Sequence, residues 1–284
     1  MTILLPGKTR DIEGFPVVRI LPQARKRMVG PFIFIDHMGP VEFKANEGLD
    51  VKAHPHIGLA TLTYMLHGSL LHRDSLGTSI EIVPGDVNLM TAGKGIVHSE
   101  REPLAARSRT RRLEGIQCWL ALPEMHAMID PAFEHIKHSQ LPHYQTAGVS
   151  MHLIAGKAFN LRSPVSSFSS MFFLDTLAEK GSQIPRPEPE QECLLYLLEG
   201  SISIDQQDFQ AGDAVLLESA ASIRAQSDLR CLLLGGQAWD RIPYIDWNFV
   251  SFQQASIDQA RHDWRSRRFP EIPGDNEEFI PLPE

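Results

Sequence analysis

Residues 64–70 read Tyr-Met-Leu-His-Gly-Ser-Leu, and residues 196–202 read Tyr-Leu-Leu-Glu-Gly-Ser-Ile. Farther along each copy, Pro-Gly-Asp-Val at 84–87 is matched by Ala-Gly-Asp-Ala at 211–214. The first match is offset by 132 residues, from 64 to 196, and the second by 127, from 85 to 212, so the second copy has a loop five residues shorter. Each copy has the order strand, glycine turn, strand, loop, Gly-Asp turn and strand. An internal repeat of this kind predicts two similar β-barrels in tandem.

The rest of the chain has the pattern of an all-β protein. Its 20 glycines and 20 prolines interrupt the chain at short intervals, as turn residues do between strands. Between them lie short runs rich in Val, Ile, Leu, Thr and Phe, at residues 32–35, 59–66, 80–83, 87–90, 201–204, 214–217 and 229–234. Many short strands with frequent turns predict a sandwich or a barrel. The repeat places an N-terminal domain at residues 1–133 and a C-terminal domain at 134–284.

One helix is predicted, close to the C-terminus. Ser256 can cap its start, and Gln259, three residues later, has the spacing of a capping box. Ile257, Ala260 and Trp264 then fall on one face of the helix. The prediction is therefore a short helix whose apolar face packs against the β-structure.

Composition excludes several classes of protein. The 284 residues are 43% hydrophobic and 22% charged, which is the balance of a globular chain rather than a disordered one. The formal net charge of −8 argues against a nucleic-acid-binding protein, which needs a basic surface. No apolar run approaches the ~20 residues of a membrane-spanning helix, so neither nucleic acid nor membrane is an expected partner.

The N-terminus and the cysteines bear on the compartment. Pro6 interrupts the first apolar residues too early for a secretory signal peptide. Cys118, Cys193 and Cys231 are odd in number and widely spaced, which indicates neither a disulfide framework nor a cysteine zinc site. The predicted location is therefore the reducing cytoplasm.

Two short motifs carry the strongest indication of chemistry, His54-Pro55-His56 and His98-Ser99-Glu100. Residues i and i+2 of a strand point to the same face, so each motif sends two ligand-type side chains the same way. If both strands face one barrel interior, three imidazoles and one carboxylate converge, a set that suits Fe, Mn, Ni, Co or Zn. Four protein ligands leave positions open for substrate, water or O₂, as in catalytic sites. Pro55 lacks an N–H for a β-ladder, which predicts a strand start or an edge strand.

The other histidines and the basic stretch are given structural interpretations. His37, next to Asp36, is predicted to be structural, and His72 is predicted to lie at a barrel mouth or on the surface. Histidines without a paired spacing are predicted to be ordinary residues: His126, His135, His138, His143 and His152. The basic stretch is predicted to be a solvated loop rather than a site for an anionic partner; it contains Arg101, Arg107, Arg109, Arg111 and Arg112.

The second copy of the repeat lacks the ligand-type residues. By the first offset, His54 and His56 correspond to Arg186 and Glu188, and by the second, His98 and Glu100 correspond to Ala225 and Ser227. The C-terminal domain is therefore predicted to hold no equivalent metal, and to serve a structural or partner-binding role.

Longer motifs surround both histidine motifs. They include His-Pro-His-x-Gly from His54, His-Arg-Asp-Ser-Leu-Gly from His72, and Met-Thr-Ala-Gly-Lys-Gly-Ile-Val-His-Ser-Glu from Met90. Together with Gly-Pro-Phe at 30–32 and Phe-Ile-Pro-Leu-Pro at 279–283, they resemble the pirin family of bicupins over essentially the whole chain. The resemblance implies two tandem antiparallel cupin barrels of the jelly-roll type with a short C-terminal helix. It also implies that the metal ligands are His54, His56, His98 and Glu100.

The resemblance to pirins further implies an activity. Several pirin-like proteins act on flavonols such as quercetin, which implies an Fe(II)-type dioxygenase that opens the ring of a small aromatic or enol-bearing substrate, as a quercetin 2,3-dioxygenase does. The implied cofactor is one divalent transition metal, Fe(II) first, with Ni, Mn, Co, Cu or Zn as alternatives. Glu100 is the implied catalytic residue, either as a ligand or as a general base, because a carboxylate beside a divalent ion can loosen and accept a proton.

Two other functions stay open on the sequence. Pirins also resemble redox-sensing partner proteins, which implies a non-enzymatic redox- or metal-sensing regulator that binds a protein partner. In the third interpretation, the metal only stabilises the fold. Many pirins have Arg, Phe and Glu where this chain has Ile57, Leu59 and Ala60, so the pocket wall of this chain has its own composition.

Overall fold

The computed structural model describes residues 2–12 and 14–283, and this part of the chain is mostly β-structure with one α-helix, as predicted. The strands up to residue 121 are β1 (Ile3–Leu5), β2 (Lys8–Ile12), β3 (Phe15–Leu21), β4 (Phe32–Phe43), β5 (Asp50–His56), β6 (Leu59–His67), β7 (Leu70–Asp74), β8 (Ser79–Ile82), β9 (Val87–Thr91), β10 (Ile96–Arg101) and β11 (Arg111–Ala121). The later strands are β12 (Ala132–Ile136), β13 (His143–Thr146), β14 (Val149–Ala158), β15 (Leu161–Arg162), β16 (Met171–Ala178), β17 (Gln183–Ile184), β18 (Glu192–Glu199), β19 (Ser201–Ile204), β20 (Gln207–Gln210), β21 (Ala214–Leu217), β22 (Ile223–Ala225), β23 (Leu229–Gly236), β24 (Tyr244–Asp246) and β25 (Phe249–Ser251). The helix α1 covers Gln254–Arg265, and short 3₁₀ helices cover Leu104–Ser108, Glu124–His126 and His138–Gln140.

The described residues form two compact units, and each unit takes three segments of the chain. The ligand unit, named for the candidate ligands it contains, comprises the described residues of Thr9–Arg19, Phe34–His138 and Arg241–Glu284. The apolar unit comprises those of Met1–Lys8, Ile20–Ile33 and Ser139–Asp240. The helix segment thus belongs to the same unit as the candidate ligands. The division of the sequence between residues 133 and 134 stays a prediction.

Two sheets face each other in the ligand unit. The large sheet has the strand order β12-β9-β6-β11-β4-β3-β2, and the small sheet has the order β5-β10-β7-β8. Both contribute to one hydrophobic cluster, made of Phe15, Val17, Met38, Leu49, Met65, Leu70, Ile82 and Leu113. Each fully buried Leu or Phe of such a cluster stabilises the fold by about 1.5–3 kcal/mol. This packing holds the two sheets together, and the small sheet carries the candidate ligands.

The apolar unit has a similar pair of sheets with a hydrophobic core of its own. Its larger sheet has the order β1-β21-β18-β23-β16-β14-β13, with β15 on β14, and its smaller sheet has the order β17-β22-β19-β20. The cluster of buried side chains contains Leu195, Ile204, Ala225 and Leu233, together with Cys193. Burial raises the pKa of the Cys193 thiol to about 12, so this thiol is packed as an apolar group.

The two copies of the repeat fold alike. In the first copy, β6 leads through Gly68 into β7, and in the second copy β18 leads through Gly200 into β19. Both glycines have positive φ, +74° and +86°, and this backbone conformation is open to glycine at little cost. The Gly-Asp turns then precede β9 and β21. The strand order predicted from the repeat is therefore present in both units.

The predicted helix is present, but its predicted start is wrong. The helix begins at Gln254 after an N-cap at Gln253, and no side chain caps it. The backbone N–H of Ser256 bonds to the carbonyl of Gln253 at 3.1 Å, so Ser256 already lies inside the first turn and cannot cap. The buried face is as predicted, formed by Ile257, Ala260 and Trp264. No helix within residues 2–12 and 14–283 is long and apolar enough to span a membrane.

Candidate metal centre

The two histidine motifs lie on neighbouring strands of the small sheet. β5 and β10 run antiparallel, and their register pairs His98 directly with His54. The strand start predicted as one alternative for Pro55 is wrong, because residues 54–56 are the last three of β5. β5 is the edge strand of the sheet, which confirms the edge alternative predicted for Pro55. The Pro55 nitrogen therefore interrupts no ladder in the interior of a sheet, and the His-Pro-His motif is compatible with a strand at this place.

Three imidazoles converge inside the ligand unit. The ring centroids of His54 and His98 are 4.3 Å apart, and the ring of His56 lies 5.0 Å from each of them. One ring nitrogen from each histidine lies within 4.8 Å of the other two. The three side chains are 7%, 1% and 1% exposed for His54, His56 and His98. A cluster so buried and so close has the arrangement of a ligand set.

Backbone carbonyls fix the orientation of two of the rings. His54 donates from Nδ1 to the carbonyl of Lys52 at 2.8 Å, and His56 donates from Nδ1 to the carbonyl of Asn248 at 3.2 Å. A carbonyl only accepts hydrogen bonds, so Nδ1 carries a proton in both rings, and in the neutral form of each ring Nε2 then keeps the lone pair. Metal-binding histidines in proteins are oriented in this way.

His98 gives the sharpest sign that a metal fits. Both of its ring nitrogens are buried and have no hydrogen-bond partner among the described residues. Burial, together with the neighbouring histidines, lowers the pKa of His98 and of His56 well below the usual range, so both rings are neutral at pH 7, the form that binds metal. A buried polar atom without a partner is costly, and a metal bond to one ring nitrogen of His98 would remove the part of this cost that comes from that nitrogen.

Glu100 lies beside His98 rather than inside the three-histidine group. The register of β5 and β10 is irregular between His98 and Glu100, and bulges of this kind re-aim side chains near functional sites. Ligand-type atoms of Glu100, His98 and His72 lie within 4.8 Å of one another. The predicted set therefore forms two overlapping groups that share His98, and the assignment of all four residues as ligands stays a prediction.

His72 belongs to this site, and a surface position for it is wrong. Its side chain is 3% exposed, stacks on Phe133 with ring centroids 4.4 Å apart, and lies 5.2 Å from the His98 ring. Its Nε2 is 3.1 Å from Asp74 Oδ2, and the other Asp74 oxygen accepts the backbone N–H of Leu76 at 2.9 Å. The i and i+2 spacing of His72 and Asp74 is the same signal that identified the other two motifs.

The C-terminal segment holds the outer side of the ligand strands. The Ser99 hydroxyl donates to Asp275 at 2.7 Å, and the Arg101 guanidinium makes two bonds to the same carboxylate, at 2.9 and 3.0 Å. Ala53 forms a β-bridge with Phe279. Ser99 and Ala53 are next in sequence to candidate ligands, so these contacts fix the backbone from which the ligands project. Nothing in the local sequence signals a partner so far along the chain.

The other predicted residues have structural partners. His37 contacts Glu114 at 3.0 Å between Nε2 and Oε1, as a structural histidine. The basic stretch is not a solvated loop of free charges, since four of its five arginines form ion pairs within the ligand unit: Arg101 with Asp275, Arg107 with Asp50, Arg111 with Glu102 and Arg112 with Glu114. Glu102 and Glu114 lie within or next to the stretch in the sequence, whereas the fold brings in Asp50 and Asp275 from other segments.

The second copy has none of this arrangement. Arg186, at the position of His54, donates to the backbone carbonyls of Glu188 and Gln191, and Ala225, at the position of His98, is buried in the hydrophobic cluster. Among the described residues, both groups of potential metal ligands lie in the ligand unit. The apolar unit therefore has a packed core at the equivalent place.

Elemental analysis of the purified protein is expected to give about one transition-metal ion per chain. The reason is that the two potential ligand groups share His98 and so can serve only one ion at a time. A second ion bound by the apolar unit would contradict the interpretation of the second copy as metal-free.

The chain is similar to known proteins along nearly its whole length. Residues 14–120 match the Pirin family model, and residues 173–270 match the model of the Pirin C-terminal cupin domain. A pirin-like protein of Caulobacter vibrioides is 38% identical over 287 residues, covering 99% of each chain. These matches confirm the two tandem cupin domains that the sequence predicts.

Solved structures give the same result. The crystal structure of a quercetin 2,3-dioxygenase from Acinetobacter baumannii has a TM-score of 0.91 and 34% sequence identity, covering 100% of this chain and 95% of that one. A bacterial pirin from Escherichia coli, YhhW, in complex with nickel(II), has a TM-score of 0.66 and 21% identity, covering 84% of this chain and 100% of that one. The second likeness bears on the fold alone.

Proposed function

Because this chain belongs to the pirin family, we propose that it is a metal-dependent dioxygenase that opens the ring of a flavonol such as quercetin, with Fe(II) as the metal. The observation that carries the proposal is the buried His54, His56 and His98 cluster, in which both nitrogens of His98 have no partner among the described residues. The A. baumannii quercetin 2,3-dioxygenase supports the substrate class, because its structure matches this chain from end to end.

The residues that would hold the metal are His54, His56, His98 and Glu100. When bound, a divalent ion in such a site acts as a Lewis acid toward an oxygen ligand and, if it is iron, supplies redox chemistry. Three neutral imidazoles and one carboxylate leave one positive charge uncompensated, so the site favours an anionic oxygen group of the substrate. Ni, Mn, Co, Cu and Zn suit the same donor set.

The chain's own residues also fit a planar, oxygen-bearing substrate. Trp119 packs edge-on against His56, with ring centroids 5.1 Å apart, and stacks on Phe34 at 4.1 Å. Its indole N–H is buried and has no acceptor among the described residues. An aromatic wall with one unpaired donor beside the ligands is suited to an aromatic ring that carries an oxygen.

Glu100 and His72 supply acceptor groups at the same site. Glu100 brings the negative charge, and in this proposal it either remains a ligand or takes the proton of a substrate hydroxyl. His72 Nε2 is bound by Asp74 Oδ2 at 3.1 Å, so in this proposal Nδ1 is the ring nitrogen that is available to accept from the substrate. The site thus combines an aromatic wall, a donor and two acceptors. We place the protein in the cytoplasm, where its three buried cysteines would stay reduced.

Oxygen uptake with quercetin tests the proposed function. Iron(II)-loaded protein is expected to consume O₂ together with the loss of quercetin absorbance, and the metal-free protein is expected to do neither. If fully loaded protein consumes no O₂ with any of a panel of flavonols, the dioxygenase proposal fails. That outcome would favour the regulator with a protein partner, which needs the metal site but no substrate.

A further inference from the structure

Glu100 is held from the opposite sheet. It lies on β10 of the small sheet, whereas its two hydrogen-bond donors, Thr63 on β6 and Gln117 on β11, lie on the large sheet. The Thr63 hydroxyl donates to Glu100 Oε1 at 3.1 Å, and the Gln117 amide donates from Nε2 to Glu100 Oε2 at 2.6 Å. Each carboxylate oxygen therefore has its own donor.

The two donors are neighbours in the sheet. Gln117 and Thr63 are direct cross-strand partners in the antiparallel register of β11 and β6, and side chains of such a pair stand side by side on one face. They form a two-pronged fork whose spacing matches the two oxygens of one carboxylate. A glutamate has three rotatable side-chain bonds, and two donors at fixed positions select one orientation among its rotamers.

We propose that Thr63 and Gln117 are positioning residues, a fork that fixes the Glu100 carboxylate as the fourth ligand; the inference rests on the metal site of the proposed function. Partners that orient a ligand tune the affinity of a site by restricting where the ligand atom lies. Each fork donor uses one lone pair of a carboxylate oxygen, and the remaining lone pairs stay available to a metal ion. The fork thus prepares Glu100 for coordination before any ion arrives.

The repeat supports this assignment independently. By the offset that relates β6 to β18, Thr63 corresponds to Leu195, and the cross-strand partner of Leu195 on β23 is Leu233. In the second copy, therefore, an apolar pair stands where the fork stands in the first, and Ser227 stands where Glu100 stands. The fork and the carboxylate are both present in one copy and both absent from the other, as expected if they work as a unit.

Isosteric substitutions of the fork test the inference through cobalt(II) binding. Thr63→Val removes the hydroxyl and keeps the shape, and Gln117→Met removes the amide and keeps the length. Each is expected to weaken cobalt(II) affinity about 10- to 100-fold in competition with a chelator, and to change the visible absorption of the cobalt-loaded protein. The double variant is expected to lose less than the product of the two single losses, because both donors act on one carboxylate.

Two matched variants control for packing. Thr63→Ser keeps the hydroxyl and is expected to restore both affinity and spectrum. Thr61→Val makes the same isosteric change at a buried threonine two residues along the same strand, and is expected to leave both unchanged. Thermal unfolding of the metal-free variants checks that each is folded. Equal losses in Thr63→Val and Thr61→Val, or cobalt affinity and spectrum unchanged in both fork variants, would overturn the inference.

The cobalt readout separates this inference from the proposed activity. If no flavonol is turned over but the fork variants lose cobalt affinity, the fork stands and the dioxygenase proposal fails. If quercetin is turned over but the fork variants bind cobalt as the parent does, the dioxygenase proposal stands and the fork fails.

Discussion

The His98→Ala substitution is expected to weaken metal binding by more than about 100-fold. This is more than the loss expected when a residue that only hydrogen-bonds to a ligand is replaced. His98 belongs to both groups of potential ligands, and its ring lies within 5.0 Å of the rings of His54 and His56. Without it, the two remaining histidines and Glu100 no longer share a common neighbour. The measurement is the metal content of the purified variant after dialysis, followed by titration with iron(II) or cobalt(II).

Loss of metal from the His98→Ala variant can be distinguished from loss of the fold. The His98 side chain makes no hydrogen bond in the described structure, so its removal leaves no donor or acceptor unpaired and costs only packing. His56→Ala is expected to lose most of the metal as well. His126→Ala, in the 3₁₀ helix Glu124–His126, is expected to keep the parent's metal content. Equal losses in all three variants would show that the fold, rather than the coordination, had been lost.

The buried cluster of His54, His56 and His98 could be predicted from the sequence because its signal is local. Alternation along a strand places i and i+2 on one face, so the His-Pro-His and His-Ser-Glu triplets reveal their geometry without any knowledge of the fold. The repeat adds which copy carries the ligand-type residues, since Ala225 and Ser227 replace His98 and Glu100. The same local signal at His72 and Asp74 was present, but a mouth or surface position was predicted for His72.

The partners of the candidate ligands could not be predicted, because they depend on strand register. Thr63 and Gln117 are 54 residues apart and meet Glu100 only because β6 pairs with β11 and the large sheet faces β10. The Asn248 carbonyl reaches His56 from 192 residues away, and Asp275 reaches Ser99 from 176 residues away. No periodicity in the sequence indicates contacts between residues so far apart along the chain. The helix start was missed for a local reason, since Ser256 has the right residue type but lies within the first turn.

Glutamine at position 100 is expected to separate metal binding from catalysis. The variant keeps the shape of the side chain, and its amide oxygen can still coordinate weakly, so the loss of metal should be much smaller than in His98→Ala. The fork responds to the change, because one carboxylate oxygen becomes an NH₂ group. That group either faces the hydroxyl of Thr63 or meets the donating amide of Gln117, and both contacts are weaker than those of the parent at 3.1 and 2.6 Å.

Turnover per bound metal is the decisive quantity for Glu100→Gln. An amide can neither accept a proton nor balance the charge of a divalent ion, so turnover of quercetin per bound iron is expected to fall by about 100-fold or more, the size of a general acid–base contribution. The measurement is oxygen uptake at known iron occupancy, variant against parent, over a panel of flavonols. The wall beside the site differs from that of many pirins at Ile57, Leu59 and Ala60, so the panel must include flavonols with different ring substituents.

Unchanged turnover per iron in Glu100→Gln would show that Glu100 is not a base. Glu100 would then keep only the role that the fork supports, that of a carboxylate fixed for coordination. The proton of the substrate hydroxyl would then need another acceptor, and the structure offers His72, held at Nε2 by Asp74.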